Sequence, residues 1–281
     1  YQSNWEKLIM YIIAEIGINH NGSMDHAKKL IDQAYKSGCN AVKFQKRNPD
    51  KCVPEDQKSL IRETPWGNIT YLEYKWKIEF DLNQYKELYD YTKKYEMDFI
   101  VSCWDVDSIS DIDTSIPVDY YKVASASVTD KEFLRKLYLT GKPTILSTGM
   151  STEEQVDEAV QILGENLEYI LACTSTYPTA IEELNLRYIQ TLRQEYPQHK
   201  IGFSNHYSGF DACIGSVALG AECIEFHITD DRAQFGTDQS ASIENSSILV
   251  DGIFAMEKMM GDGVKRVYDS EIPMMNKLRK V

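Results

Sequence analysis

The strongest constraint on the fold is a regular alternation of short apolar runs with amphipathic segments along the whole sequence. About eight apolar runs, rich in isoleucine, valine and phenylalanine, alternate with segments whose apolar residues recur every three or four positions. Strands and helices that alternate in this number are typical of a (β/α)8 TIM barrel, an α/β fold. A doubly wound open sheet is the alternative, but no glycine-rich nucleotide loop follows the first strand. We therefore predict a single TIM-barrel domain over residues 1–281.

The clearest strand, helix, strand unit lies between residues 200 and 238. Two apolar runs, 201–203 and 223–226, flank the helix-like segment FDACIGSVALG. Two strands of one sheet that are joined through a helix run parallel, so their carboxyl ends lie at the same edge. His206 and His227 stand at or just after these ends. We therefore expect the two imidazoles to be neighbours.

A pair of histidines at one sheet edge indicates a metal site. Glu225 lies two residues before His227, and Asp238 lies in the loop that follows, so two carboxylates are available as further ligands or as hydrogen-bond partners. Imidazole and oxygen ligands together suit Mn²⁺, Mg²⁺, Fe²⁺ or Zn²⁺. We predict a divalent-metal site at His206 and His227. The alternative is that each histidine only caps its strand.

Capping residues predict several helix ends. Ser23 precedes an amphipathic segment that Gly38 terminates, and Ser151 with Glu154 has the pattern of a capping box. The first strand is predicted at 8–16 because its apolar run is nearly continuous. Further helices are predicted at about 181–196 and about 242–260.

Residues 46–81 interrupt the alternation. This segment is too long for an ordinary connection between a strand and a helix, and it contains three prolines and two tryptophans. Ordered loops of this length in a compact domain are usually functional, and aromatic residues favour order. We predict a lid-like insertion near the active site.

Polar residues stand at the carboxyl ends of nearly all the predicted strands. In a (β/α)8 barrel these ends meet at one mouth, where enzymes of this fold place their active sites. The predicted mouth residues are Glu15, Lys43, Gln45, Lys122, Ser125, Ser147, Ser175, Tyr177, Ser204, His206, Glu225 and His227.

Two of these residues, Lys43 and Lys122, lie within apolar runs, where an unpaired ammonium group is costly to bury. One interpretation is a structural ion pair with Glu15 or Glu225. The other is an anion site, because lysine ammonium groups together with several serine hydroxyls suit phosphate. The pattern leaves both interpretations open.

Composition limits the class of partner and the compartment. The formal charge of −13 argues against a nucleic-acid or anionic-membrane partner. No apolar run reaches the roughly 20 residues that a transmembrane helix needs, and the N-terminal residues do not have a signal-peptide pattern. The six cysteines form no CxxC pair, as is usual for reduced thiols. We expect a cytoplasmic protein.

Successive motifs resemble those of the N-acetylneuraminate (sialic acid) synthase family, which includes legionaminate and pseudaminate synthases. The similar blocks are IIAEIGINHNG, AVKFQ, YYKVASASVTD, ILSTGM, CTSTYP, GFSNH and ALGAECIEFHITDDRAQFGTDQSAS. They occur in the family's order and with similar spacing from about Ile12 onward. The resemblance implies a TIM barrel that condenses phosphoenolpyruvate with an aldose or acetamido-sugar aldehyde, using a divalent metal, most often Mn²⁺ or Mg²⁺, within a homo-oligomer.

Matching motif positions also implies a role for each site residue. The implied catalytic residues are Glu15, Glu225, Lys43 and Lys122; the phosphoenolpyruvate site consists of Lys43, Lys122, Ser125, Ser147, Ser175 and Ser204; the acceptor sugar contacts Gln45, Tyr177 and Asp238; and the metal ligands are His206 and His227. The implied product is a 3-deoxy-2-ulosonic acid that resembles sialic acid.

Three departures from the family pattern bear on specificity. Ser175 stands where sialic acid synthases usually have asparagine, and Ser127 stands where some members have a glutamate that contacts the acceptor. The family's C-terminal antifreeze-like domain, which supplies an arginine to the acceptor site, is absent from these 281 residues. Either the sequence is a piece of a longer protein or it is a short member of the family with another acceptor, and Ser127 weakens the expectation of N-acetylmannosamine as the acceptor.

Two other functions are compatible with the same residues. A Schiff-base aldolase would use Lys122 at a strand end as its nucleophile. A non-catalytic barrel would keep the fold and bind a sugar. The presence of Glu15, both lysines and both histidines favours the synthase.

Overall fold

A computed structural model describes residues 10–280 as a closed barrel of eight parallel strands with helices between them, which confirms the predicted (β/α)8 fold. Around the barrel the strands follow the order β1, β10, β9, β8, β7, β6, β5, β2. The strands are β1 Tyr11–Gly17, β2 Ala41–Lys46, β3 Ile61–Thr64, β4 Gly67–Thr70, β5 Asp98–Cys103, β6 Tyr120–Val123, β7 Thr144–Ser147, β8 Leu167–Cys173, β9 Lys200–Asn205 and β10 Cys223–His227. Residues 8–9 of the predicted first strand lie outside the described part.

The helices surround the barrel and pack on its outer face. They are α1 Met24–Ser37, α2 Pro49–Cys52, α3 Tyr71–Ile78, α4 Leu82–Lys93, α5 Val106–Ser115, α6 Lys131–Leu139, α7 Glu153–Leu163, α8 Tyr188–Glu195, α9 Asp211–Ala218, α10 Ser246–Met260 and α11 Ile272–Leu278. The predicted ends of α1 are confirmed, with Ser23 as N-cap and Gly38 in the left-handed conformation as C-cap. Within residues 10–280, no helix has the length and apolar character needed to cross a bilayer.

Three predicted helix boundaries were wrong. The capping box before α7 consists of Thr152 and Gln155 rather than Ser151 and Glu154, since Ser151 donates its hydroxyl to the carbonyl of Gly149. In the region 181–196 only one 3-10 turn and the short α8 are helical, because Asn185 between them has a positive φ of 43°. The final long helix begins at residue 246, because Ile243 is extended and bridges Ile228.

Two apolar layers form the core. The larger one lies between the strands and the surrounding helices. A smaller one fills the barrel interior and consists of Ile13, Ala41, Ile100, Ile145, Tyr169, Leu171 and Cys223. Tyr11, Tyr120 and Tyr169 pack against one another and close the amino end of the barrel, with ring centroids 5.6–6.2 Å apart. In the part of the chain that the structure describes, the interior is therefore filled at this end, and a ligand site is expected at the carboxyl end.

The insertion at residues 46–81 has regular structure that the sequence pattern did not predict. It contains α2, the antiparallel hairpin β3–β4, and α3, whose N-cap Thr70 forms a capping box with Glu73. Lys46 at its start forms a buried ion pair of 2.9 Å with Glu79 near its end. The ion pair closes the base of the insertion beside β2. Its action as a lid remains a prediction.

Candidate active site

The structure brings all but one of the predicted site residues to a single cavity of about 230 Å³ at the carboxyl ends of the strands. Those that line it are Glu15, Lys43, Gln45, Lys122, Ser125, Ser147, Ser175, Tyr177, Ser204, His206, Glu225 and His227. Asp238 instead lines an adjoining cavity of about 540 Å³. Its Oδ2 lies 3.6 Å from Nδ1 of His227, so it stands at the boundary between the two cavities.

The period-2 alternation of strand side chains explains why these residues meet. Side chains at positions i and i+2 of a strand share one face. Glu15 follows Ile13, Lys43 follows Ala41, and Glu225 follows Cys223 at this spacing, and each preceding residue belongs to the apolar interior layer. The registers pair Glu15 with both Lys43 and His227 on neighbouring strands. The polar cavity is therefore the next layer of side chains above the apolar core of the barrel.

Two lysines and two glutamates form a buried charged cluster in this layer. Lys43 Nζ lies 2.8 Å from Glu15 Oε2 and 3.7 Å from Glu225 Oε2, and Lys122 Nζ lies 3.6 Å from Glu225 Oε1. All four side chains are at most 6% exposed. The structural ion pair suggested by the sequence therefore exists, at least for Lys43.

Burial and charge compete in this cluster. Burial opposes ionisation of Glu225, but Lys122 and Lys43 outweigh it and hold the pKa of Glu225 at about 2. Burial likewise opposes the charge on Lys43, yet Glu15 and Glu225 raise its pKa. For Lys122 burial prevails over Glu225, and its pKa is lowered. Lys122 is thus the less compensated cation of the pair.

Serine hydroxyls surround the cluster. Lys122 Nζ donates to Ser147 Oγ at 2.6 Å, and Ser204 Oγ donates to Glu225 Oε1 at 2.9 Å. Ser125 and Ser175 converge on Gly149 from two other loops: a Cβ added at Gly149 would lie 2.3 Å from Ser175 Oγ and 2.7 Å from Ser125 Oγ. The absence of a side chain at Gly149 therefore keeps the hydroxyls beside bare backbone, a suitable wall for an anion.

The two predicted metal ligands are close together. The ring centroids of His206 and His227 are 5.3 Å apart, and Tyr177 packs against both rings. His206 Nδ1 lies 2.9 Å from the carbonyl oxygen of Thr174, which places the proton on Nδ1 and leaves the Nε2 lone pair free. This is the usual second contact of a metal-binding histidine.

His227 has the properties of a neutral ligand. Burial lowers its pKa, and its buried Nδ1 has no hydrogen-bond partner. Over residues 10–280, however, no three His, Cys, Asp or Glu side chains already form a metal cluster. The two imidazoles therefore fit a divalent cation whose remaining ligands come from bound substrate and water.

Six further residues of the cavity were not predicted: Ser102, Trp104, Ala124, Ala126, Met150 and Cys173. Cys173 lies two residues after Leu171 of the interior layer, so the period-2 rule could have identified it. Burial raises the pKa of its thiol, but the nearby His206 and the hydroxyls of Ser175 and Ser125 outweigh burial and lower it to about 6.

A hydrogen-bond network fixes Glu15 on the side facing the larger cavity. Gln45 Nε2 donates to Glu15 Oε1 at 2.7 Å, and Arg47 donates to Gln45 Oε1. Gly17, with a φ of 54°, permits this arrangement: a Cβ there would lie 2.8 Å from Glu15 Oε1 and 3.0 Å from Gln45 Nε2. The Glu15 carboxylate is therefore held in one orientation.

Comparison with known proteins identifies relatives over nearly the whole chain. The model of the NeuB family matches residues 30–265. The N,N'-diacetyllegionaminic acid synthase of Campylobacter jejuni is 34% identical over 278 residues, which cover 96% of this chain and 83% of that protein. The N-acetylneuraminate-9-phosphate synthase of Mus musculus is 35% identical over 279 residues, which cover 96% of this chain and 76% of that protein.

A solved structure supports the same grouping. The crystal structure of the N-acetylneuraminic acid (sialic acid) synthetase from Leptospira borgpetersenii serovar Hardjo-bovis, in complex with citrate, superposes with a TM-score of 0.83 at 30% identity. The match covers 97% of this chain and 93% of that one.

Proposed function

The chain belongs to the NeuB family. We propose that it joins phosphoenolpyruvate to the aldehyde carbon of a sugar, forming a 3-deoxy-2-ulosonic acid and releasing phosphate. The named relatives are synthases of legionaminic and sialic acids, which supports an acid of this class as the product. The sugar itself is an aldose or an acetamido sugar.

The observation that carries the proposal is the buried cluster of Lys43, Lys122, Glu15 and Glu225. A cavity of about 230 Å³ with two ammonium groups and several hydroxyls suits a small, highly charged anion such as phosphoenolpyruvate. The adjoining cavity of about 540 Å³ is the larger of the two and would receive the sugar.

The reaction proceeds through bond formation, addition of water and loss of phosphate, and the cavity residues act in these steps. Carbon 3 of phosphoenolpyruvate forms a bond to the aldehyde carbon, whose oxygen takes up a proton. Water then adds to carbon 2 and loses a proton, for which the oriented carboxylate of Glu15 is the base. The hydroxyl on carbon 2 then loses its proton and becomes the carbonyl oxygen as the carbon–oxygen bond to phosphate breaks, and phosphate leaves with the bonding electrons and takes up a proton. Lys43 and Lys122 stabilise the negative charge on the phosphate throughout.

His206 and His227 would hold a divalent cation, Mn²⁺ or Mg²⁺, at the edge of the same cavity. Such an ion supplies Lewis-acid polarisation of a carbonyl oxygen. The free Nε2 of His206 and the unpartnered Nδ1 of His227 are consistent with this role.

The direct test is phosphate release from phosphoenolpyruvate in the presence of a panel of aldoses and acetamido sugars, with the product identified by mass. Release is expected only when both substrates are present. It should cease after chelation and return with Mn²⁺, and His227→Ala should remain inactive after Mn²⁺ is added. Full activity of His227→Ala would contradict the metal assignment.

Lysine variants test the anion site. Lys122→Met should raise KM for phosphoenolpyruvate by about 10- to 100-fold, since a hydrogen bond to a charged group contributes about 1.5–3 kcal/mol. Lys131→Met is the matched control, because Lys131 is exposed and pairs with Glu158 on the outer face. Equal KM values in the two variants would contradict the assignment.

One observation favours a second candidate function, a Schiff-base aldolase. Burial lowers the pKa of Lys122, and a nucleophilic lysine must lose its proton to attack a carbonyl. Borohydride reduction in the presence of pyruvate should then add a stable mass to Lys122. The synthase mechanism predicts no such adduct.

A further inference from the structure

The larger of the two site cavities has an unusual charge pattern. It occupies about 540 Å³ beside the inner cavity and shares Gln45, Trp104 and Tyr177 with it. Its wall includes two buried cations, Arg47 and Lys75, which are 8% and 6% exposed. Neither belongs to the catalytic cluster described above.

Arg47 comes from the segment after β2, and its guanidinium group lies over the ring of Trp104. Its guanidinium carbon lies 4.5 Å from the Trp104 ring centroid. One of its terminal nitrogens donates to Gln45, but its buried Nε has no hydrogen-bond partner, and neither does the indole Nε1 of Trp104. Buried donors without partners in a cavity wall are available to bind an acceptor group of a ligand.

Lys75 comes from α3 of the insertion. Its Nζ lies 5.2 Å and 5.3 Å from the ring centroids of Tyr71 and Tyr74. Burial and the nearby Arg47 lower its pKa to about 8. By contrast Lys46, equally buried, forms a 2.9 Å ion pair with Glu79. Arg47 and Lys75, in contrast, repel each other across the cavity.

Neither cation forms an ion pair through its side chain. Among the residues that the structure describes, no carboxylate oxygen lies within 4 Å of a side-chain nitrogen of Arg47 or Lys75, although the whole chain carries a formal charge of −13. The Glu79 carboxylate accepts from the backbone N–H of Arg47 at 3.2 Å and attracts Lys75 only from a longer distance. Asp238 lines the same cavity and moderates the shift of Lys75, but its Oδ2 lies 3.6 Å from His227. A buried cation without a partner is costly, and such sites are typically completed by an anionic ligand.

We propose that Arg47 and Lys75 bind a phosphate monoester carried by the acceptor sugar at the end remote from its aldehyde. The inference rests on the proposed synthase function and specifies its substrate class. A dianion is favoured because two converging cations balance its charge, whereas a monocarboxylate leaves one cation uncompensated. The fork of an arginine matches phosphate oxygens, and Lys75 supplies a second point charge.

The placement of the two cavities orients the acceptor. The phosphate would lie in the larger cavity of about 540 Å³, here called the outer cavity. The sugar would then reach the inner cavity of about 230 Å³ past Gln45 and Tyr177, which line both cavities. Its aldehyde then faces the catalytic cluster. An unphosphorylated sugar leaves Arg47 and Lys75 unpaired in the complex and should bind more weakly for that reason.

The test compares matched acceptors in the phosphate-release assay with phosphoenolpyruvate and Mn²⁺. The pairs are mannose with mannose 6-phosphate, and N-acetylmannosamine with its 6-phosphate. The wild-type ratio of kcat/KM, phosphorylated over unphosphorylated, should be about 100 or more for at least one pair. In Lys75→Met this ratio should fall about 10- to 100-fold, and Lys75→Arg should restore most of it.

Lys77→Met is the matched control. Lys77 lies two residues further along α3 and is exposed, so the variant removes the same charge from the same helix outside the cavity. Its ratio should equal that of the wild type. Thermal unfolding of all variants checks that the fold is intact.

The outcomes separate this inference from the proposed function. Phosphate release with a wild-type ratio near one, or an unchanged ratio in Lys75→Met, overturns the anion site and leaves the synthase intact. If no acceptor gives phosphate release, the synthase fails, and calorimetric binding of mannose 6-phosphate decides the anion site. Binding that Lys75→Met weakens and Lys77→Met does not supports the site; no binding, or equal binding by both variants, overturns it.

Discussion

At the scale of single residues, the cavity is defined by how each buried charge is compensated. Glu225 is stabilised as a carboxylate by two lysines and a serine, so its pKa falls to about 2 despite complete burial. Lys75 has aromatic rings and another cation as neighbours. Its pKa is also lowered, but for a lysine a lowered pKa means that the charged form is disfavoured. Charges with close partners build most of the catalytic cluster, whereas Lys122 and Lys75, whose charges are less compensated, mark where a ligand's charge is expected.

The lowered pKa of Lys75 predicts a pH dependence of stability. Its folded-state pKa is about 8 and its ordinary value is 10.5, so between these pH values the unfolded chain binds more protons than the folded chain. The free energy of unfolding should therefore rise with pH across this window, by about 2–3 kcal/mol from this group. Urea unfolding at pH 7.5 and pH 10 measures it.

The difference between wild type and Lys75→Met isolates this contribution from those of other groups. At pH 7.5 the variant should be at least as stable as the wild type, because it removes an uncompensated buried cation. The exposed Lys77→Met should follow the wild-type pH dependence. If Lys75→Met unfolds more easily than the wild type at both pH values, the lysine is a structural residue.

The orientation of Glu15 predicts a catalytic defect. Glu15→Gln keeps the size of the side chain and removes its ability to accept a proton, so kcat should fall about 10²- to 10⁴-fold while the apparent affinity for phosphoenolpyruvate changes little. Steady-state kinetics with saturating acceptor measures both. Glu55→Gln, an 88% exposed carboxylate in the insertion, is the control. An unchanged kcat would remove Glu15 from the mechanism.

At the level of secondary-structure elements, the barrel strands other than β9 contribute an apolar residue to the interior and a polar residue to the cavity two positions later, whereas in β9 the residue before Ser204 at this spacing is Gly202. The loop after β7 adds a backbone wall at Gly149, where a side chain would collide with two serine hydroxyls. The insertion supplies α3, which brings Lys75 to the outer cavity. Strands thus build the reactive cavity, and the insertion builds part of the adjoining one.

Gly149 gives a prediction at this scale. In Gly149→Ala the added Cβ would lie 2.3 Å from Ser175 Oγ, so Ser175 and Ser125 must move and KM for phosphoenolpyruvate should rise about 10-fold or more. Gly215→Ala in α9 is the matched control, because its nearest contact is an ordinary 3.5 Å to Leu186. It should keep wild-type kinetics and gain about 0.5–1 kcal/mol of stability. Equal KM values would show that the hydroxyls do not bind this substrate.

At the scale of the whole molecule, closure of the barrel makes the cavity a shared property of its strands. Lys43, Lys122 and Glu225 belong to β2, β6 and β10, which are not adjacent in the barrel, yet both ammonium groups lie within 4 Å of the Glu225 carboxylate. Any partial opening of the sheet would separate them and leave buried charges unpaired. Ligand binding in this cavity should therefore stabilise the barrel as one unit.

Thermal unfolding tests this coupling. Phosphoenolpyruvate at about 100 times its dissociation constant should stabilise the folded state by about 2.7 kcal/mol and raise the midpoint of a single transition. In Lys122→Met the same concentration should give a much smaller increase, and in Lys131→Met the full one. An increase that is equal in both variants would place the ligand outside the described cavity.

Local sequence patterns were sufficient to predict the barrel and most of the cavity of about 230 Å³. Period-2 and helical patterns are local, and parallel strands joined by helices have all their carboxyl ends on one side, so Glu15, Lys43 and the two histidines could be assigned to one mouth. Cys173, two positions after Leu171, follows the same period-2 pattern, although it was not predicted. Helix starts were less predictable, because the choice between Ser151 and Thr152 depends on a backbone angle that composition does not specify.

The partners of the buried charges, by contrast, depend on contacts that the folded chain creates between distant segments. Whether Lys43 forms an ion pair, and whether Arg47 and Lys75 do not, depends on barrel closure and on how residues 46–81 fold across the mouth. These are contacts between segments distant in sequence, and no local pattern encodes the distance between them. Electrostatic energy depends on that distance and on burial, so the tertiary fold, not the residue order, separated the compensated cations from the uncompensated ones.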